Sequence, residues 1–401
     1  MIPRHVLPFS VGNLFSIAMK PAMRTTASDL EKTYADALGV TEVVSLPSVR
    51  AGIRMTILAG ARPEGITVGP AYTCDTVHEA LALSGSYVRL IDSAPDSFLM
   101  SPETVGAVTK PGCSLILSEV YGISYDPAAI EKMSVTRPGL RIFDLAMCIP
   151  SPERMTQLGP KDVALFSFGW GKPMYAGWGG VACFRDPMLA DRVREIRDQL
   201  LVISSTGFRF RRSYALFQDV VMNQRLIYGL THQRCLYRIL RERIARTQAQ
   251  GYQRKASGGP AAQWTRPMTM MNWKVALYNL RHIAESADLR RSQAEVYSHM
   301  LVEPGEVRGP RLNALPQSHF PMRVPAAFRD DICDYLRRRG IDTGTLFPFP
   351  IGLHRDDYPH AARAADEVVT LPLGPAITTT EVHMIAQRVK DGLKVLGIKS
   401  I

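Results

Sequence analysis

Between residues 43 and 184 short β-branched runs alternate with helix-like stretches, and this alternation most constrains what the 401-residue chain can fold into. Val43-Val44-Ser45 leads into a helix-like stretch over 51–59, and Ile66-Thr67-Val68 precedes another over 76–83. Further apolar runs follow at 87–91, 114–117, 140–143, 164–168 and 180–184. A hairpin needs only a few residues between strands, whereas a parallel neighbour needs a crossover of roughly a dozen or more. The spacings therefore predict a mixed, mainly parallel sheet covered on both faces by helices, an α/β domain.

Beyond Asp186 the pattern turns helical, over 189–201 and 214–249, and stops at a Gly/Ser/Pro-rich stretch ending in Gly258-Gly259-Pro260. That stretch predicts a large domain over 1–255 and, over 256–401, a connecting helix followed by a smaller C-terminal α+β lobe. The second part carries a helical run at 271–301, a strand near 320–324 and helices at 326–339 and 378–396. Thr378-Thr-Thr-Glu381 is a capping-box pattern at the start of the last helix.

Composition excludes several classes. With 46% apolar and 21% charged residues the chain is neither disordered nor fibrous. No run approaches the roughly 20 apolar residues that span a bilayer, and the N-terminus lacks a signal-peptide core, so a cytoplasmic protein is expected. The six cysteines are far apart with no C-x-x-C pair, which argues against a zinc ribbon, and no metal site is expected. Basic residues outnumber acidic ones 48 to 37, and most of the excess is local: from Phe208 to Lys255 eleven Lys or Arg stand against two acids.

The richest stretch for chemistry is Val163-Ala-Leu-Phe-Ser-Phe-Gly-Trp-Gly-Lys-Pro-Met-Tyr-Ala-Gly-Trp-Gly-Gly-Val-Ala-Cys-Phe184. Lys172 stands in a loop of glycines and aromatics between two strand-like runs, where a desolvated amine suits Schiff-base chemistry. Upstream, Asp144 ends the apolar run Leu140-Arg-Ile-Phe, the position at which α/β sheets present groups to ligands. A carboxylate and a lysine in this arrangement are what pyridoxal phosphate requires: one keeps the pyridine nitrogen protonated, the other holds the aldehyde.

The surrounding pattern resembles the DegT/StrS family of pyridoxal-phosphate enzymes, mostly aminotransferases acting on keto sugars. Ser167-Phe168, Lys172 and Gly179-Gly180 fit the family's S-F-x-x-x-K-x-x-x-x-x-x-G-G core. Pro70-Ala-Tyr-Thr73, Val120-Tyr121-Gly122, Gly340-Ile341-Asp-Thr343 and Leu371-Pro372-Leu373 follow family segments in order along nearly the whole chain. The resemblance implies a fold-type-I transferase, a homodimer with active sites across the interface, and pyridoxal 5'-phosphate as cofactor. Lys172 would anchor the cofactor and shuttle protons, Asp144 would pair with the pyridinium, and Ser167 would bind the phosphate. The amides of Val49 and Arg50, at a helix start, would add phosphate donors, with the Arg50 guanidinium beside them. The expected substrates are a small-molecule amino donor, glutamate, and the ketone of a nucleotide-activated sugar.

Four positions depart from the family pattern. Cys74 stands where an aromatic usually stacks on the cofactor ring, Met147 replaces a glutamine, Trp264 an asparagine two residues before Arg266, and Trp178 an acid. These favour, as alternatives, other pyridoxal-phosphate chemistry on a non-sugar substrate or a non-catalytic binding protein. His354, after the proline-rich Phe347-Pro-Phe-Pro350, corresponds to a family histidine on the substrate side. In the basic segment Arg234, Arg238 and Arg241 share one helical face, suited to an anionic ligand or a peripheral membrane contact, and no nucleic-acid motif accompanies them.

Overall fold

The computed structural model describes residues 1–20, 27–61, 65–134, 138–202, 205–232, 262–310, 312 and 315–398. The predicted alternation resolves into seven strands: β1 (Glu42–Leu46), β2 (Ile66–Pro70), β3 (Tyr87–Ile91), β4 (Ser114–Ser118), β5 (Leu140–Asp144), β6 (Asp162–Ser167) and β7 (Gly180–Phe184). They form one sheet in the order β1-β7-β6-β5-β4-β2-β3. The pairs among β2 to β6 are parallel, and β7 alone runs against its neighbours β1 and β6. The sheet is therefore mixed and mainly parallel.

Central strands β4 and β7 are buried at every residue, as a sheet covered on both faces requires, while edge strand β3 exposes Tyr87 and Val88. On one face the helix Val49–Gly60 packs Ile53, Met55 and Ile57 against Leu165, Ile142 and Ala182. On the other, Tyr34, Leu38, Phe166, Phe168 and Trp273 belong to a second core layer. Each large side chain buried in this way contributes about 1.5–3 kcal/mol.

The smaller lobe is built on β8 (His319–Arg323) and β9 (Val368–Pro372), an antiparallel pair backed by the helices Arg329–Arg338 and Thr379–Val395. The capping box at Thr378 and Glu381 is formed in both directions. β9 is a strand that the sequence reading passes over, because Pro372 disguises a run buried throughout. Two helical runs are also interrupted: the first breaks at Asn223 between Thr206–Met222 and Arg225–His232, the second at His282 between Met270–Arg281 and Ile283–Tyr297.

The N-terminal arm joins the small-lobe core. Ile2 makes a parallel bridge to Ile341, Ile2 and Val6 pack among its apolar residues, and Arg4 holds Asp342 with two hydrogen bonds of 2.6 and 3.1 Å. The segment around Trp273, after position 255, instead packs in the large-domain core. The boundary at 255 and the face of Arg234, Arg238 and Arg241 lie outside the described residues.

Candidate active site

Every parallel strand but β3 releases its chain at the same rim of the sheet into a cavity of about 590 Å³. Pro47 to Arg50 follow β1, Thr73 and Cys74 follow β2, Ser118 to Val120 come at the end of β4, Asp144 to Met147 at the end of β5, and Ser167 to Lys172 leave β6. A crevice beyond the carboxyl ends of parallel strands is where α/β sheets bind ligands, because no backbone closes it and several loops converge there.

Asp144 is buried at the floor. Its Oδ2 accepts from Ser118 Oγ at 3.1 Å and its Oδ1 from the Ala146 amide at 3.2 Å, and no basic side chain among the described residues pairs with it. Burial pushes its carboxyl above the usual range, against the opposing pull of Lys172 and of the two donors. A carboxylate so placed calls for a cationic N–H on a ligand.

Lys172 sits in a loop fixed by its own backbone. The Phe168 amide donates to Gly179 O at 3.0 Å and the Ala176 amide to Phe168 O at 3.0 Å, while Tyr175 N bonds Lys172 O at 3.1 Å. Gly171 and Gly179 hold positive φ, and a Cβ at Gly179 would lie 2.3 Å from Met268, so this approach needs glycine. The amine has no hydrogen-bond or ion-pair partner among the described residues.

An anion cradle lies at the same rim. Ser48 Oγ caps the helix Val49–Gly60 through the Ala51 amide, leaving the Val49 and Arg50 amides as unpaired first-turn donors. Ser167 Oγ accepts from the Gly169 amide at 3.2 Å, and its own proton stays free to donate. The Arg50 guanidinium is less available than the sequence suggests, since its Nη1 is committed to Glu79 at 2.7 Å.

The cavity thus joins Lys172, Asp144, Ser167, Val49, Arg50 and Cys74. It does not include His354, which is exposed at the start of the 355–357 turn. Phe347, at φ 61°, instead turns itself and Leu346 toward the cavity, held by Tyr72 and Tyr121, whose hydroxyls lie 2.6 Å apart.

Of the departures, Cys74 is a half-buried lining residue with a thiol whose pKa burial raises, and Met147 Sδ accepts from the Tyr121 amide at 3.2 Å. Trp178 lines the cavity and donates from Nε1 to Arg266 O at 3.1 Å, whereas Trp264 is core, packed against the helix Val49–Gly60.

Sequence reasoning missed Ser118, His5, Tyr175, Arg212 and Asp219. Ser118 could have been found, because it ends β4 directly opposite Asp144 in the ladder. Arg212 and Asp219 share a helical face with Phe208 and Leu216. Nothing local marks His5, whose Nδ1 lies 3.0 Å from His319 Nε2, with His319 Nδ1 2.8 Å from Ser318 Oγ. Burial, then the nearby Arg4 charge, pushes His5 down to about 3.

A seven-stranded mixed sheet with a lysine loop, a buried carboxylate and an anion cradle at one rim defines a fold-type-I pyridoxal-phosphate protein. The model of the DegT/DnrJ/EryC1/StrS aminotransferase family matches residues 22–226 and 238–390, and the chain belongs to that pyridoxal-phosphate-dependent family. It is 25% identical over 394 residues to the dTDP-4-dehydro-2,3,6-trideoxy-D-glucose 4-aminotransferase of Saccharopolyspora spinosa, covering 94% of this chain and 91% of that protein. A match to the protein MosB of Rhizobium meliloti, 29% identical over 196 residues, takes in 47% of this chain and 39% of that one. The chain therefore spans well under half of MosB. Among solved structures, the aminotransferase TlmJ of Streptoalloteichus hindustanus superposes with a TM-score of 0.69 at 21% identity, covering 99% of this chain and all of that one. The sugar aminotransferase CalS13 of Micromonospora echinospora gives 0.68 at 19%, with 98% and 100% covered. At those identities the likeness is one of fold.

The donor set fits pyridoxal phosphate. Among the described residues the buried Asp144 has no cation beside it, the Val49 and Arg50 amides and the Ser167 hydroxyl have no anion, and Lys172, without a partner there, lines the same cavity.

Proposed function

We propose that the protein transfers an amino group from an amino acid, glutamate, to the ketone of a nucleotide-activated sugar, acting as a homodimer. The observation that carries this reading is the convergence of Lys172, Asp144 and Ser167 on one cavity beside the unpaired amides of Val49 and Arg50. The sugar substrate is supported by the name of the Saccharopolyspora relative, which matches over nearly its whole length. The dimer is supported by exposed apolar side chains on neighbouring helices: Phe210, Tyr214 and Phe217 at i, i+4 and i+7, with Leu226 and Leu230 beyond them and Phe15 and Met19 on the N-terminal helix.

When bound, the cofactor supplies a carbonyl that carries the amino group and a ring that takes up the electrons released at the substrate carbon. The protein's part is positional and acid–base. Asp144, steadied by Ser118, holds the proton on the ring nitrogen, where a charged partner offsets its own burial. Ser167 and the helix start hold the phosphate end. Lys172 Nζ would anchor the carbonyl end and, once released, would move a proton between the substrate carbon and the cofactor carbon, in one direction with the donor and in the reverse direction with the acceptor.

Half-reaction spectra test the proposal. The protein loaded with pyridoxal phosphate should absorb in the visible, and borohydride should fix the cofactor on the peptide containing Lys172. Glutamate should bleach that band, and a nucleotide-linked keto sugar should restore it. No change with any amino acid would overturn transamination. Bleaching that only a non-sugar ketone reverses would move the acceptor to the second reading, for which the Cys74, Met147 and Trp178 wall speaks.

A further inference from the structure

The helix Thr206–Met222 presents Phe208, Arg212, Leu216 and Asp219 on one face. Leu216 and Val220 anchor that face in the large-domain core, and a Cβ at Gly177 would lie 3.0 Å from Leu216 Cδ1, so the helix presses directly on the loop that carries Lys172. Arg212 and Asp219 reach the cavity wall from it. Asp219 Oδ2 accepts from Tyr175 Oη at 2.5 Å. The Arg212 guanidinium instead stacks on Trp178, 3.9 Å from the ring centre, with Phe208 at 5.5 Å. Trp178 is itself locked by its bond to Arg266 O.

Two arginines line the cavity. Arg50 is spent on Glu79, whereas Arg212 has no carboxylate within ion-pair distance among the described residues. Stacking satisfies the face of a guanidinium and leaves its in-plane N–H edge open, a fork that matches two oxygens held in one plane. Partial burial strengthens any such bond and lowers the guanidinium's pKa from its ordinary value, with the Asp219 charge and then Tyr175 only partly offsetting it.

We infer that Arg212 is the receptor for a substrate oxyanion, the carboxylate of the amino donor, an assignment that rests on reading the cavity as a transaminase site. A phosphate oxyanion offers the same chemistry, but Asp219, two turns along the same face, disfavours the more highly charged group. The stacked arginine supplies the carboxylate anchor that no sequence motif reveals.

Calorimetric titration of the holoenzyme with succinate, an amine-free dicarboxylate, and separately with thymidine diphosphate tests this. Arg212→Met should weaken succinate binding tenfold or more while changing thymidine diphosphate binding little, and should narrow by a similar factor the preference for glutamate over ethylamine in bleaching the visible band. Arg212→Lys, which keeps the charge and loses the fork, should fall between and stands in if the methionine variant does not fold. Unchanged succinate binding overturns the assignment, as does a loss confined to thymidine diphosphate. If the wild type bleaches with no amine yet succinate binding still depends on Arg212, the oxyanion site stands and the transaminase reading falls.

Discussion

The cofactor wall and the opposite wall of the cavity are made of different material. The first consists of strand ends: Asp144 closes β5, Ser167 closes β6, and Val49 and Arg50 open the helix that follows β1. Its geometry is set by the ladder, in which Ser118 faces Asp144 and Ser167 faces Gly180. The second wall is gathered from remote parts of the chain: His5 from the N-terminal arm, Tyr175 and Trp178 from the loop, Arg212 and Asp219 from a helix, Leu346 and Phe347 from the small lobe. The difference suggests a division of labour. The ladder gives the precision that proton transfer needs, and the assembled wall can vary to suit a substrate without disturbing the sheet.

The sharpest way to break this comparison is at Asp144. Asp144→Asn removes the ring-nitrogen partner and should cut transamination by about 100-fold or more, with weaker cofactor retention, while mutations on the second wall change substrate preference first. Stability should move oppositely. A carboxyl whose folded pKa is raised favours folding only while protonated, so at neutral pH its burial as an anion opposes folding. The cofactor-free asparagine variant should therefore unfold at a higher temperature than the cofactor-free wild type at neutral pH. An unchanged rate in Asp144→Asn, measured with saturating cofactor, would remove the carboxylate from the chemistry.

The same contrast explains what could be read from the sequence. The sheet and its rim were legible because strand period, crossover length and end-of-strand chemistry are local: Asp144, Ser167, Lys172 and the Val49 helix start all fall where the runs stop. Four of the five cavity residues missed belong to the assembled wall, where, Tyr175 in the lysine loop aside, proximity comes from tertiary packing. His5 reaches Gly171 only because Ile2 and Arg4 are tied to Ile341 and Asp342. Arg212 lay inside a segment whose many charges read as one basic surface, yet its neighbours Arg209 and Arg211 are exposed and it alone of the three turns to the cavity. Phe347 hides in a proline-rich stretch whose histidine, His354, drew the attention instead.

If the second wall is held by long-range contacts, acid should loosen it through its histidines. His5 and His319 both titrate well below the ordinary 6.5, chiefly through burial: His5 at about 3, with Arg4 and Lys172 opposing a further positive charge and Asp342 partly offsetting it, and His319 with His5, Arg290 and Lys172 opposing its charge. The unfolded chain therefore binds these protons first. Between about pH 6.5 and 3 it holds more of them than the native state, so stability rises with pH there and is lost on acidification. From pH 6.5 to 5 His5 should forfeit about 2 kcal/mol, at 1.36 kcal/mol per unit, and His319 adds a loss of the same sign. Urea unfolding of His5→Phe over this range should show a shallower loss than the wild type, by roughly one histidine's share. Parallel pH curves for the two proteins would show that His5 is not the buried neutral group described here.

The smallest effect expected is at His354, and it bears on whether the second wall is complete within one chain. The side chain is exposed and outside its own cavity, at the lip of a turn that leads into the helix Pro359–Glu367. In this arrangement a role toward substrate is met by the cavity of a second copy, which ties this residue to the homodimer. His354→Ala should raise the apparent Michaelis constant for the keto acceptor a few-fold and leave the visible band and the glutamate half-reaction as they were. Mixing the variant with a Lys172→Ala chain separates the two arrangements. If His354 serves the neighbouring cavity, the mixed dimer has its one working lysine in the variant chain and an intact His354 from its partner, and the wild-type Michaelis constant returns. If the raised constant persists in the mixed dimer, His354 acts within its own chain, and a rearrangement of the 347–354 segment would have to carry it there.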